Sequence, residues 1–391
     1  MQVPTLGFAP RLALFYAAVF AVMGTQTPFL PVWMDWRGLT AQEIAMVTSL
    51  PLLFRLAATP IITFIADRSG ARRNIILVLA WIGFALGLWL ASARYFWPIL
   101  IAQILFSVTW SSMMPLTEAV AMAGVKASGE SYGRMRLWGS VAFMAANLLG
   151  GWLIGIYGPG ATMVLILAGL AASVGAAHLL PTQPETTADT SQPIAWRDVF
   201  ALLRSRTMIL FLIAAGGVQA AHAVLYIFGT LHWRAQGFSA LWCGLFWAIG
   251  ICAEIAIFAL PTALIHRLGA WFFLAVGAVG AIVRWTIMGF DPPLALLIPL
   301  QMLHGATFGA SHLGAMHMMT HIVPERQSGI GQALYGTLSG SLALAGAMQI
   351  AGYTFAAYGG RAYWAMAGLG CVSLIALAAM PHTLRRLGKP A

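Results

Sequence analysis

Residues 115–143 read PLTEAVAMAGVKASGESYGRMRLWGSVAF. Two apolar helical runs flank one short loop, and each holds a full charge, Glu118 in the first and Arg136 in the second. An ionisable side chain at the centre of a bilayer helix costs about 2.5–3.5 kcal/mol on insertion scales, so two of them facing across a hairpin point to a task beyond spanning. Transport is the task that fits. The rest of the chain has the composition such a hairpin needs. Of 391 residues, 8% are charged and 60% hydrophobic, with a mean hydropathy of +0.83, whereas soluble domains carry about 25% charged residues.

Working outward, apolar runs of membrane length predict twelve helices, at residues 11–33, 41–66, 74–92, 97–122, 133–156, 161–180, 207–233, 239–265, 271–289, 294–320, 329–356 and 362–381. The expected fold is an all-α polytopic membrane protein with twelve transmembrane helices in two pseudo-symmetric six-helix bundles. The bundles are residues 1–180 and 207–391, the second ending in a short basic tail (Arg385, Arg386, Lys389), with a cytoplasmic linker at 181–206. The linker is rich in Thr, Gln, Pro, Asp and Glu and closes on the amphipathic stretch Trp196-Arg197-Asp198-Val199-Phe200, read as a short interfacial helix. The first helix is too long for a signal segment and lacks a small-residue cleavage site after it, so it reads as a retained span.

The net charge of +10 would suit a nucleic-acid binder if it were clustered. It is not. With both termini inside, fifteen of the 21 Lys and Arg residues fall on the cytoplasmic side and four outside, and Arg55 and Arg284 lie within helices. That is the positive-inside pattern of a multi-pass protein of the bacterial inner membrane. Cys243, Cys252 and Cys371 sit in apolar segments without metal or redox spacing and read as small fillers.

After the second predicted helix comes Asp67-Arg68-Ser69-Gly70-Ala71-Arg72-Arg73, a tight turn with acidic, glycine and basic residues on the cytoplasmic side. Shifting the chain by 199 residues lays Leu39–Ala71 on Phe238–Ala270 without a gap, matching Ala41, Ala57, Thr63, Arg68, Gly70 and Ala71 to identical residues. The same shift sets Arg55 opposite Glu254, each midway through its helix. Two related halves with a functional site at mid-depth is the plan of a secondary transporter.

Depth sorts the polar residues. Arg55, His222, Glu254, Arg284 and His304 fall near the midplane, and Glu118 and Arg136 in the cytoplasmic third. They line a polar cavity or pair with one another, with structural ion pairs between helices as the plainer alternative. For Arg68, Arg72 and Arg73 the reading is topology and loop packing. Arg55, Arg136 and Arg284 set three positive charges inside the bundle against Glu118 and Glu254, leaving one positive charge that a monocarboxylate would neutralise. Trp138 and the aromatic seventh and eighth helices offer surface for an apolar body.

The Asp67–Arg73 loop resembles the signature of the major facilitator superfamily at Asp67, Arg68, Gly70, Arg72 and Arg73, and departs from it at Thr63, where glycine is usual. A closer resemblance is carried by Pro115–Ala119, Tyr132–Phe143, Gln219–Ala223, Ala253–Leu260, Val283–Gly289 and Gln301–Met316, which look like the 3-phenylpropionate:proton symporters of that superfamily. The charges also resemble, more distantly, those of lactose-permease-type symporters. That likeness implies that Glu118 and Arg136 bind substrate while Glu254, Arg284 and His304 couple the proton. Thr307 and Gln301 depart from it, standing where the sugar carrier has a carboxylate and a lysine, and argue against a disaccharide. Glu254 can alternate between neutral and ionised forms near Arg284, and His304 suits a proton relay because imidazole titrates near neutrality. His312, two turns on, either extends the path or is structural.

The expected function is a proton-coupled symporter importing a small aromatic or other monocarboxylate by alternating access. Its candidate substrate residues are Glu118, Arg136, Trp138, Arg55 and His222, and its proton residues Glu254, Arg284, His304 and His312. The loop motif Asp67, Arg68, Gly70, Arg72 and Arg73 serves conformation. No cofactor or metal is expected beyond the proton gradient; the partners are substrate, proton and lipid bilayer, with no nucleic acid, and the protein is expected as a monomer. A sugar or nucleoside symporter and a proton-driven efflux antiporter are the alternatives. The antiporter's proline within a glycine-rich fifth helix is missing from Ser140–Ile156. Gly129-Glu130-Ser131-Tyr132-Gly133 matches the esterase pattern GxSxG, but it lies between membrane helices and not on a strand-to-helix elbow, so no enzyme is expected.

Overall fold

The computed structural model describes residues 7–181, 196–381 and 384. The Thr/Pro-rich part of the linker and the basic tail at Arg385, Arg386 and Lys389 lie outside the described residues. Among the described residues the protein is all-α. Among the described residues, eleven apolar helical stretches are long enough to cross a membrane, and the last, Glu325–Ala378, has 54 residues. A turn at Gly359–Ala362 divides it, which gives a further crossing.

The N-terminal crossings are α1 (Phe8–Trp36), α2 (Ala41–Ser69), α3 (Arg72–Ser92), α4 (Phe96–Ser128), α5 (Tyr132–Tyr157) and α6 (Ala161–Leu179). The short α7 (Trp196–Arg204) precedes the seventh crossing, which is broken into α8 (Arg206–Ala220) and α9 (Ala223–Ala235). Then come α10 (Ala240–Phe258) and α11 (Thr262–Met288). The tenth crossing consists of α12 (Leu294–Met302), a π-helical turn (Gly305–Ala310) and α13 (Ser311–Ile322). The eleventh runs through α14 (Ser328–Thr337), a second π turn (Leu338–Ala343) and α15 (Leu344–Tyr358), and α16 (Tyr363–Ala378) is the last.

Local chemistry sets the ends. Thr40 and Glu43 form a reciprocal cap on α2: the Thr40 amide donates to Glu43 Oε2 at 2.8 Å and the Glu43 amide to Thr40 Oγ1 at 3.3 Å. Gly70 ends the helix at φ +66°, in the left-handed region that glycine enters without penalty. Gly269, its equivalent 199 residues on, also has a positive φ, +80°, but with ψ 158° against −4° at Gly70, so both turns need glycine while their backbone conformations differ.

The fourth helix, expected to end at 122, runs to Ser128, and the junction of the eighth and ninth helices differs most from the sequence reading. The eighth helix, expected at 239–265, ends at Phe258, because Pro261 has no N–H with which to continue it. The Pro261 carbonyl instead accepts from the Leu264 and Ile265 amides, at 2.9 and 3.3 Å, and starts α11. Arg267, expected in a loop, therefore lies in a helical stretch that kinks at Gly269.

The chain divides into two compact units, residues 1–191 with 237–244 and residues 192–236 with 245–391. In the first, α1 packs on α5 and α6, α2 on α4, and α3 on α4 and α6. The second has the same scheme one repeat later: the α8–α9 crossing packs on the eleventh crossing and on α16, and α11 packs on α13 and α16. Close approach of α10 to the tenth crossing completes it, since a Cβ on Gly305 would lie 2.7 Å from the Ala253 carbonyl oxygen.

Candidate functional site

In the first unit the fourth and fifth crossings bring Glu118 and Arg136 together, with Arg136 Nε 4.0 Å from Glu118 Oε1 and both side chains about one-third exposed. The guanidinium lies over the Phe20 ring at 4.0 Å and near that of Tyr16 at 5.7 Å, two residues one helical turn apart on α1. Tyr132, one turn before Arg136, lies beside the Glu118 carboxylate, as does Tyr16. The buried Tyr16 hydroxyl stays outside hydrogen-bond geometry. Gly139 leaves the space that the guanidinium fills, since a Cβ there would sit 3.0 Å from Arg136 Nη1 and from the Phe20 ring. Trp138 is exposed, and two residues along a helix it points away from Arg136.

Arg55 lies midway along α2. It is half-buried, and among the described residues its guanidinium has no hydrogen-bond, carboxylate or ring partner. One turn on, Thr59 Oγ1 meets Ser111 Oγ at 3.0 Å and Ser112 Oγ at 3.4 Å on α4, the helix that carries Glu118 two turns further along.

The loop motif is structural in its contacts. Arg72 Nε donates to Asp67 Oδ1 at 2.8 Å. Arg73 donates to the Leu180 and His178 carbonyls at 2.6 and 2.9 Å, satisfying the C-terminal end of α6. Arg68 is exposed.

The second unit holds a buried polar cluster around Arg284, which is 1% exposed. Its Nη2 donates to Gln301 Oε1 at 2.8 Å and its Nη1 to Thr307 Oγ1 at 3.1 Å, with His304 Nδ1 3.2 Å from Nη1. Its carbon lies 4.4 Å from the Trp285 ring centre. These neighbours fix tautomers. A guanidinium only donates, so His304 Nδ1 presents a lone pair and the ring proton is on Nε2, which faces Glu254 Oε2 at 3.6 Å. His222 Nδ1 lies 3.0 Å from the Val218 carbonyl and donates to it, so its Nε2 accepts from the Thr307 hydroxyl at 3.0 Å. His304 thus stands between Arg284 and Glu254.

The broken seventh crossing and the π turn build this cluster. His222 sits at the break between α8 and α9, and Thr307 in a turn whose extra residue shifts the helical register. Gly250, whose Cβ would lie 3.3 Å from that of His304, admits the imidazole one turn from Glu254. His304, Phe308 and His312 stack nearly parallel, with centres 5.4 and 6.2 Å apart, so an apolar ring separates the two imidazoles. Both neighbour Glu254.

Sequence reasoning grouped His222 with the substrate residues; its bonds are to the Arg284 cluster. It noted Gln301 and Thr307 only as departures, and both are hydrogen-bond acceptors for Arg284. It overlooked Tyr16, Phe20 and Tyr132, although their spacings of four, from one another and from Arg136, are visible in the sequence.

Replacing Thr307 by valine keeps the volume and removes the hydroxyl that Arg284 and His222 share. Two buried groups then lose a partner, at about 1–3 kcal/mol each. A clearly lowered melting temperature of the solubilised protein is expected, and an unchanged one would show that this hydroxyl holds neither group.

Residues 10–366 match the model of the MFS_1-like family. A protein of Escherichia coli (strain K12) described as "Probable 3-phenylpropionic acid transporter" is 32% identical over 94% of this chain and 95% of its own length. The maltose permease of Geobacillus stearothermophilus is 27% identical over 84% of this chain and 83% of its own. Among solved structures, the nucleoside transporter NupG superposes with a TM-score of 0.85 at 16% identity, covering 96% of this chain and 99% of that one, a likeness of fold. Fold, family match and relatives agree: the chain belongs to the MFS_1-like family and is a multi-pass membrane transporter, not an enzyme.

Proposed function

We propose that the protein is a proton-coupled symporter that imports a small aromatic monocarboxylate, of the 3-phenylpropionate kind, by alternating access. The observation that carries this reading is the Arg284–His304–Glu254 chain, in which one neutral imidazole joins a buried cation to a titratable carboxylate. A proton arriving on Glu254 removes a negative charge two contacts from Arg284, and its departure restores it, so the charge balance of the unit depends on protonation. Glu254, Arg284, His304 and His312 are assigned to the proton, with His222 supporting Arg284 through Thr307. Glu118, Arg136 and Arg55, with the Tyr16, Phe20 and Tyr132 rings, are assigned to the substrate. Trp138 is assigned no direct contact.

The excess of one cation over the membrane carboxylates supports an anionic substrate, and the rings around Arg136 support an aromatic body. The likeness to a transporter described for 3-phenylpropionic acid agrees with both. The protein is further assigned to the bacterial inner membrane, with both termini cytoplasmic as the basic residues require, acting as a monomer without a cofactor. Proteoliposomes with an imposed pH gradient test the reading. Accumulation of arylpropionates, abolished by a protonophore, is expected; accumulation of a sugar or nucleoside alone, or expulsion of a hydrophobic cation, would overturn it.

A further inference from the structure

Of the three guanidinia within the membrane helices, we infer that Arg55 and not Arg136 holds the substrate carboxylate, while the Glu118–Arg136 pair grips the rest of the molecule as an internally neutral clamp. This rests on the organic-acid reading given above and assigns its carboxylate site.

The three arginines differ in what already surrounds them. Arg284 is fully buried, its two terminal nitrogens already donate to Gln301, Thr307 and His304, a tryptophan ring covers its face, and only its enclosed Nε is without an acceptor. No room remains there for a carboxylate. Arg136 is accessible, but Glu118 offsets its charge at 4.0 Å and its face is spent on the Phe20 and Tyr16 rings. A carboxylate entering beside it meets Glu118 as well, and like charges at that range repel. Arg55 is part exposed, lies mid-helix, and among the described residues has neither carboxylate nor acceptor nor ring. A guanidinium left bare at that depth is costly unless something else completes it, and a carboxylate fits its planar fork with two parallel hydrogen bonds.

Its surroundings suit that use. The hydroxyls of Thr59, Ser111 and Ser112 follow one turn along between α2 and α4, bonded to one another and to the Val108 carbonyl, so the neighbourhood is polar without a competing charge. The helix that carries these serines also carries Glu118 two turns further along, so Arg55 and the ring-flanked Glu118–Arg136 pair lie at different depths of the same unit. Carboxylate recognition at one end and ring recognition at the other match an arylalkanoate better than a compact anion.

The test compares the purified full-length protein with its Arg55→Leu and Arg55→Lys variants by ligand-induced thermal shift, using 3-phenylpropionate and its neutral amide. Wild type is expected to bind the acid at least roughly 10-fold more tightly than the amide, as one charge-assisted bidentate pair allows. Arg55→Leu is expected to bind both equally weakly, and Arg55→Lys to keep part of the preference. Without ligand, Arg55→Leu is expected to melt no lower than wild type, since it removes an unpartnered charge. Retention of the acid preference in Arg55→Leu would overturn the inference and leave the organic-acid reading standing. A melting temperature well below wild type would overturn it too, by showing that Arg55 is a structural partner. If wild type binds a sugar or nucleoside and neither phenyl compound, the organic-acid reading fails and the inference with it.

Discussion

Glu254→Gln is expected to abolish accumulation driven by a pH gradient while leaving exchange of substrate across the membrane. The amide keeps the size of the carboxylate, so its oxygen can occupy the place of Glu254 Oε2, 3.6 Å from His304 Nε2. What it loses is the ability to gain and release a proton. A one-proton symporter can concentrate substrate about tenfold per unit of pH gradient, the free energy of one unit being about 1.36 kcal/mol. In the variant the ratio is expected to fall to unity. Uptake under a pH gradient and counterflow from preloaded vesicles, measured on one preparation, separate the two processes. Gradient-driven accumulation persisting in Glu254→Gln would place the coupling proton on another group.

Arg136→Lys is expected to reduce uptake by roughly 100-fold, although charge is conserved, because loss of a planar guanidinium stacked on a ring beside a carboxylate is worth a few kcal/mol. Lysine offers a point charge on a flexible stem. It cannot lie flat over Phe20 at 4.0 Å while facing Glu118, and the space beside Gly139 that the guanidinium fills is left partly empty. Under the assignment of the carboxylate to Arg55, this variant loses affinity for acid and amide alike and keeps the preference between them. Initial-rate uptake across substrate concentration checks the loss, and near-normal uptake would remove Arg136 from the site. Together the two substitutions separate coupling from binding, since the first leaves exchange and the second does not.

These expectations draw on the sequence unequally. The hairpin with Glu118 and Arg136 was legible because charges inside long apolar runs stand out, and the helical reading brings the pair together once the loop is short. Depth along each helix was legible for the same reason. Tyr16, Phe20 and Tyr132 were not singled out, because aromatic residues are common in membrane helices and nothing local marks which ring faces a cation. Gln301 and Thr307 read only as missing charges, since their role depends on Arg284 lying within 3.1 Å across helices. The break at His222 and the π turn at Gly305–Ala310 follow from packing between neighbours rather than from local propensity.

What the sequence alone determined is the class of the molecule. Length and hydropathy imposed a bundle of membrane helices, because in a bilayer every backbone polar group must be satisfied within its own segment, and the 199-residue repeat gave the expectation of two like halves. Which buried charge is satisfied, and by what, was decided only by tertiary structure. Arg55, Arg136 and Arg284 are the same residue type, each within a membrane helix. They differ because among the described residues one meets no partner, one meets a carboxylate and two rings, and one meets three neutral acceptors at its terminal nitrogens, and those neighbours arrive from other helices.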